Sequence, residues 1–300
     1  MRARTIQFEG PLDVARIVSP LRRGLGDPTL RLAARGFVRA TRTPAGPATL
    51  EVELLPGGIR ARAWGPGADW SMETLPGLVG LEDDRTGWKP AHRLLADLDR
   101  RLVGLRLGHS RAIFEALWPA ILEQKVAGDE ARRAFRGLVR HYGEPPPGPF
   151  ASVVRLPPEP AVLAGLPYHA YHPYGVERRR ADTVRAAAAR ASWLEASVEL
   201  PLADAYARLR SLPGVGAWTA AEVAARALGD PDAVSVGDFH LPNLVAWALA
   251  REPRADDARM LELLEPYRGQ RARAIRLLEA SGLRPPRYAP RLAPRRIEAM

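Results

Sequence analysis

The chain has 300 residues, enough for one large or two ordinary domains with cores of their own, and no cysteine, which excludes disulfides, thiolate zinc sites and iron–sulfur clusters. It carries 44 Lys and Arg against 34 Asp and Glu, a formal +10, with lysine only at Lys89 and Lys125. That excess suits a polyanionic partner, although a GC-rich genome that encodes Arg in place of Lys gives the same bias.

The first residues, Met1–Phe8, lack the apolar core of a signal peptide, and no run of about eighteen apolar residues follows, so the expectation is a cytoplasmic protein with no membrane segment. Residues 1–88 read as an N-terminal α+β domain built on an antiparallel sheet. Its strand-like segments are Thr5–Phe8, Thr29–Thr41, Ala48–Leu55 and Gly58–Trp64, separated by Pro44–Pro47 and Pro56–Gly58 turns. Leu30, Leu32, Phe37 and Val38 break strict alternation, which predicts a bulge near Gly36. Leu12–Leu21 and Met72–Leu81 are predicted helices lying on that sheet.

From residue 89 to 285 the pattern is all-helical. The predicted helices are Ala91–Leu105, Ile113–Val126, Asp129–Tyr142, Val176–Ala196, Pro201–Leu212, Trp218–Leu228, Phe239–Ala250, Ala255–Glu265 and Gln270–Ser281. Two Pro-rich stretches, 144–149 and 157–160, interrupt them. The end of the chain, Gly282 onward with residues 286–300 as a basic Pro-rich tail, has little apolar content and is expected to pack loosely or stay disordered. The fold class is thus α+β: a mostly helical body with an N-terminal sheet domain.

The most informative stretch is Leu212-Pro213-Gly214-Val215-Gly216-Ala217-Trp218-Thr219-Ala220, followed some twenty residues later by Asp238 in Ser235-Val236-Gly237-Asp238-Phe239-His240. With helices on both sides, Gly214 and Gly216 make a tight hairpin, can take positive φ, and leave bare N–H groups at the second helix start that suit a phosphate. Pro-Gly-x-Gly turns also link helices in proteins that never touch DNA, and an aspartate before a helix also serves as a plain N-cap. Arg178-Arg179-Arg180 opens a helix with like charges, as a phosphate contact or as a solvated face. His169 and His172 lack a third ligand for a metal, and His240 reads as a helix-start residue.

The hairpin string with its trailing aspartate resembles the helix-hairpin-helix (HhH-GPD) DNA glycosylases, most nearly the 3-methyladenine DNA glycosylase II branch. Phe114–Val126 and Gly175–Asp182 resemble two further helices of that family. The resemblance implies a monofunctional DNA glycosylase of base-excision repair: a damaged base flipped out of double-stranded DNA loses its N-glycosidic bond, leaving an abasic site. Asp238 would be the catalytic carboxylate that stabilises positive charge on the sugar and orients water. Gly214, Val215, Gly216, Ala217 and Thr219 would grip DNA, and Gln124 with Lys125 would fill the gap left by the base, with Lys125 departing from the usual apolar wedge. Trp218 stands where strand-cleaving relatives carry a nucleophilic Lys, so no Schiff base forms there, and its indole could instead stack on the base or simply pack in the core. Glu222 and Glu279 replace expected pocket aromatics and make the pocket partly anionic; Phe239 and, from the loop 168–174, Tyr171 would supply aromatic surface. The backbone carbonyls of Arg210, Leu212 and Val215 would hold Na⁺ or K⁺, no organic cofactor is expected, and the chain would act as a monomer. The alternatives are a glycosylase for deaminated, oxidised or bulky bases, and a non-catalytic binder of damaged DNA.

Overall fold

The computed structural model describes residues 1–286, so residues 287–300 of the tail placed at 286–300 lie outside the described residues. Five strands, β1 Arg2–Gln7, β2 Leu30–Ala33, β3 Gly36–Thr43, β4 Gly46–Leu55 and β5 Gly58–Trp64, form one antiparallel sheet in the order β1-β5-β4-β3-β2. Alternation sorts its two faces. Ile59, Ala61 and Ala63 are buried, while Arg60 and Arg62 between them pair with Glu53 and Glu51 in solvent. Short helices α1 Val14–Val18, α2 Ala68–Glu73 and α3 Leu75–Leu78 cover the inner face, where Ile17, Val18, Leu75 and Leu78 join Phe37, Leu50 and Val52 in one core.

The segment read as one bulged strand, Thr29–Thr41, is in fact a hairpin. Leu30 pairs with Arg39 and Ala33 with Gly36, so the chain reverses at Ala34-Arg35. Gly36 lies at φ +149 against the next strand, where an added Cβ would come 1.9 Å from the Val52 carbonyl oxygen. The broken alternation marked a reversal, because each side of a tight turn restarts its own period.

The helical body comprises α4 Arg93–Arg101, α5 Ile113–Leu122, α6 Gly128–Tyr142, α7 Pro160–Gly165, α8 Arg178–Ala188, α9 Ala191–Glu195, α10 Leu202–Arg210, α11 Ala217–Val223, α12 Leu241–Ala250, α13 Asp257–Leu264 and α14 Arg271–Ala280. The single helix expected over 176–196 divides at Ala189-Arg190, and α7 starts on Pro160, where a proline at the first turn costs no hydrogen bond. The body has two cores. One gathers α5, α6 and α8–α11 around Leu117, Ile121, Leu138, Val184 and Leu209, with Trp118 stacked on Phe135 at 4.8 Å. The other joins α4 to α12–α14 through Leu95, Leu98, Val245, Leu264 and Leu278.

Buried carboxylates fix these units to one another. Glu115 on α5 accepts from Arg39 Nη2 (2.7 Å), Thr41 Oγ1 (2.8 Å) and the Arg42 backbone N–H (2.6 Å), locking the sheet to the body. Arg273 on α14 grips Asp83, both side chains under 5% exposed. Glu195 accepts from the backbone N–H groups of Ile113 and Phe114, each at 2.8 Å, and so closes the N-terminus of α5; burial pushes its carboxyl up to about 7.

Candidate active site

The hairpin joins α10 to α11, with the Val215 N–H donating to the Leu212 carbonyl at 3.0 Å. Gly214 needs its lack of side chain twice over: φ is +89, and a Cβ would lie 2.5 Å from Thr183 Oγ1. Gly216 does not follow the expectation of positive φ. It sits at φ −96, ψ −172, an extended conformation open to any residue, and a Cβ there would meet nothing within 4 Å. What Gly216 keeps open is the space beside the start of α11, where no side chain caps the amides. Of the predicted grip, Gly214, Gly216 and Ala217 face solvent, whereas Val215 and Thr219 are buried.

Gln124, expected to fill a gap in DNA, spends its amide inside the protein. Its Nε2 donates to the Gly214 carbonyl (2.9 Å) and to Thr219 Oγ1 (2.8 Å), so it braces the hairpin from the end of α5. Lys125 next to it is exposed at φ +54, a left-handed conformation that L residues adopt only when neighbours hold them there.

Asp238 is held by three donors. Its Oδ1 accepts from the backbone N–H groups of His240 (2.7 Å) and Leu241 (2.8 Å) at the start of α12, and its Oδ2 accepts from Trp218 Nε1 (3.0 Å). The loop carrying it is pinned as well, since the N–H of Gly237, at φ +91, donates to Asp257 Oδ2 at 2.9 Å. Local sequence explains the geometry: the glycine turns the chain, and the aspartate caps the helix that the turn delivers.

Asp238 borders a cavity of about 180 Å³ where the three cores meet, between Ile17, Leu21 and Leu78 of the sheet domain, Ala225 beyond α11, and Leu244 and Ile275 of the C-terminal helices. After Val223 the hairpin helix widens into a π turn, Ala224–Leu228, which ends at Gly229 and brings Arg226 to the cavity wall. Among the predicted pocket residues, Glu222 and Glu279 line this cavity together with Asp238. Trp218, Phe239 and Tyr171 do not. Trp218 is committed to Asp238, Phe239 is 77% exposed, and Tyr171 is fully buried in the first body core with its hydroxyl donating to the Leu163 carbonyl at 2.7 Å. The ring that sequence placed in the pocket is apolar filling, and burial pushes its hydroxyl pKa above the ordinary range.

The pocket is not the bare anionic site that two unexpected glutamates suggested. Glu222 Oε2 accepts from Arg226 Nη1 and Oε1 from Ser235 Oγ, while Glu279 accepts from Arg276 at 2.9 Å. Asp230 in the same wall accepts from the Tyr206 hydroxyl at 2.7 Å. Burial opposes the charge on Arg226, and the carboxylates of Glu222 and Glu123 outweigh that, holding its pKa above the usual value. Arg106, Arg226, Arg276 and Ser235 were not read from sequence. Glu222 and Arg226 carried a signal in their i, i+4 spacing; Arg106, which lines the cavity and makes no hydrogen bond or ion pair among the described residues, carried none. One other expectation is corrected here. Arg180 faces inward, 4% exposed, donating to the carbonyls of Leu122 and Gly175, so it is no phosphate contact. No cluster of three metal-ligating side chains occurs among the described residues.

No protein-family profile matches the chain. A curated relative, a probable bifunctional transcriptional activator/DNA repair enzyme AlkA of Mycobacterium tuberculosis, is 33% identical over 123 residues, which is 41% of this chain and 24% of that protein. The chain therefore spans about a quarter of the length of the curated relatives it matches. Among solved structures, a 3-methyladenine DNA glycosylase from Archaeoglobus fulgidus superposes with a TM-score of 0.74 at 18% identity, over 92% of this chain and 97% of that one. The chain has the fold of a DNA glycosylase. An 8-oxoguanine glycosylase/lyase of Clostridium acetobutylicum, solved with double-stranded DNA, shares this glycosylase fold at a TM-score of 0.67 and 13% identity, over 89% of this chain and 90% of that one. In this chain the Trp218 indole, in the first turn of α11, bridges the hairpin's second helix to the Asp238 loop. No helix among the described residues is long and apolar enough to cross a membrane.

Proposed function

We propose that this protein is a monofunctional DNA glycosylase, which receives a modified base from duplex DNA in the cavity beside Asp238 and hydrolyses its N-glycosidic bond. The observation that carries this reading is the Asp238 carboxylate, pinned by two helix-start amides and an indole N–H at the edge of a base-sized hollow beside an uncapped hairpin. As the bond to the base lengthens, the sugar gains positive charge, and a carboxylate fixed in place stabilises it without reorganising at that moment. The same carboxylate orients the water that attacks the sugar carbon; the base leaves with the bonding electrons, and the water's surplus proton is released. The bare amides at Gly216 and Ala217 suit a backbone phosphate. A monovalent cation on the carbonyls of Arg210, Leu212 and Val215 fits the donor set, since the Leu212 carbonyl accepts only the Val215 N–H in the turn and keeps a lone pair; it would neutralise that phosphate. Trp218 leaves no amine beside Asp238, which supports hydrolysis without strand cleavage.

Excision of an alkylated base, the reading closest to the 3-methyladenine glycosylases, has a rival. No Phe, Tyr or Trp lines the cavity, and Arg106 offers it an unpaired guanidinium, so a deaminated or oxidised base read through acceptor oxygens also fits. Single-turnover base release from duplexes carrying alkylated, deaminated or oxidised bases separates the two. Release that needs Asp238, with strand breaks only after alkali, supports the monofunctional enzyme and names its substrate. Tight binding of damaged duplex with no release of any base would favour a non-catalytic binder.

A further inference from the structure

Leu25 is the most exposed large apolar side chain among the described residues, at 87%. It stands at the tip of the turn 22–28, yet this turn is built as firmly as a core element. The Asp27 carboxylate, 1% exposed as a residue, accepts from the Arg23 N–H (2.6 Å), the Thr29 N–H (2.7 Å) and Thr29 Oγ1 (2.8 Å), and Arg22 Nε closes onto the Gly24 carbonyl at 2.9 Å. Arg23 points inward, 5% exposed, and pairs with Glu123 at the end of α5 at 3.2 Å. The glycines on either side of Leu25 lie against α6: a Cβ on Gly24 would come 2.4 Å from Arg132 Cδ, and one on Gly26 would come 3.0 Å from Arg136 Cδ. The tip is thus anchored beside the α5–α6 corner that carries Gln124 and Lys125.

Burial cannot explain a leucine held rigidly in water, because it gains none. Its surroundings point to a polyanion with an apolar interior. Arg136, whose side chain lies against Gly26 next to the leucine, makes no ion pair among the described residues, and neither does Lys125 at the α5–α6 corner to which the turn is tied through Arg23 and Glu123. Lys125 itself is an ammonium, which suits a phosphate and stacks poorly between bases.

We propose that Leu25 is a wedge that enters the base stack of duplex DNA next to the extruded nucleotide, with Lys125 and Arg136 on the flanking phosphates. The sheet domain would then supply the apolar insertion that the corner of the helical body lacks. Apolar side chains inserted between base steps unstack them, and a tip that is already rigid loses little entropy on entry. The proposal rests on the reading of this protein as a DNA glycosylase.

The test uses the full-length protein and a duplex with 2-aminopurine next to a tetrahydrofuran abasic analogue, read by fluorescence, beside an undamaged duplex for affinity. The native protein is expected to raise 2-aminopurine emission by unstacking it. Leu25→Ala should abolish most of that rise and slow single-turnover base release about tenfold, with undamaged-duplex affinity changed less than about twofold; Leu25→Met should retain the rise. Lys125→Ala should lower affinity and the salt slope by about one phosphate contact. Equal emission and equal release in native and Leu25→Ala proteins would overturn the wedge, as would a loss confined to general affinity. Absence of any duplex binding by the native protein at low salt would instead overturn the functional reading beneath it.

Discussion

Helices α5 and α11 pack against each other, and their N-termini are finished in opposite ways. At α5 the buried Glu195 carboxylate takes the first free amides, and the helix start disappears into the protein. At α11 no side chain caps the amides, and Gly216 keeps the space in front of them empty. Both ends have the same electrostatic need for a negative group, so the difference lies in where the negative group comes from. On the proposed function, the second helix start, which no side chain caps, is where an anion from outside would bind. The start of α12 lies between the two: Asp238 caps it, but from the edge of a cavity, so the cap also faces whatever enters.

Neutralising that third cap should have the largest effect. Asp238→Asn keeps acceptors for the amides of His240 and Leu241 while removing the negative charge. Base release under single-turnover conditions should fall about a thousandfold, with duplex affinity within about threefold of native. Retained release would place the catalytic group elsewhere.

Within the cavity wall, Glu222 pairs with Arg226 and Glu279 with Arg276, whereas Arg106 makes no hydrogen bond or ion pair among the described residues. Glu222→Ala would strand Arg226, whose side chain is only 19% exposed, and cost about 3 kcal/mol in denaturant unfolding. A cost near zero would show that Glu222 is free to meet the substrate. Glu195 tests the filled helix start through pH. Its carboxyl is raised from 4.5 to about 7, chiefly by burial, so between those values the folded protein holds a proton that the unfolded chain has released. Its contribution to stability is full below pH 4.5 and is lost as pH rises through 7, up to about 3 kcal/mol. Glu195→Gln, which keeps an acceptor and cannot ionise, should flatten that part of the stability profile; an unchanged slope would show that the cap is ionised throughout.

The sheet, most helices and the hairpin–aspartate pair were legible because each has a local signature: alternation, helical spacing, or glycines followed by a capping aspartate. The cavity was legible only in part. Glu222, Asp238 and Glu279 were found, but Tyr171 was placed there because a loop dense in tyrosines looked like a binding surface, when its ring is buried in the first body core with its hydroxyl on the Leu163 carbonyl. Exposure of an aromatic depends on which helix covers the loop, and that is a long-range fact. Arg106 and Leu25 were missed for the same reason: nothing in the neighbouring sequence distinguishes an unpaired arginine or a wedge from a surface residue until distant elements pack around it. The strand pair at Ala34-Arg35 failed differently, since a two-residue reversal and a bulge break the period in the same way.

The smallest effects are expected at the two hairpin glycines, and they separate folding from binding. Gly214→Ala meets both a left-handed φ and the Thr183 hydroxyl, so it should cost about 1–2 kcal/mol of stability. Gly216→Ala meets neither, and thermal unfolding should be unchanged within error. Its methyl group would instead occupy the open approach to the α11 amides, weakening binding to undamaged duplex about fivefold. The contrast is informative because the two residues are two positions apart in one turn, so an effect of general hairpin disorder would appear at both. Weakened binding without destabilisation at Gly216 would mark the bare helix start as the phosphate site. Native affinity in Gly216→Ala would mean that the anion binds elsewhere and that the open end of α11 serves only the fold.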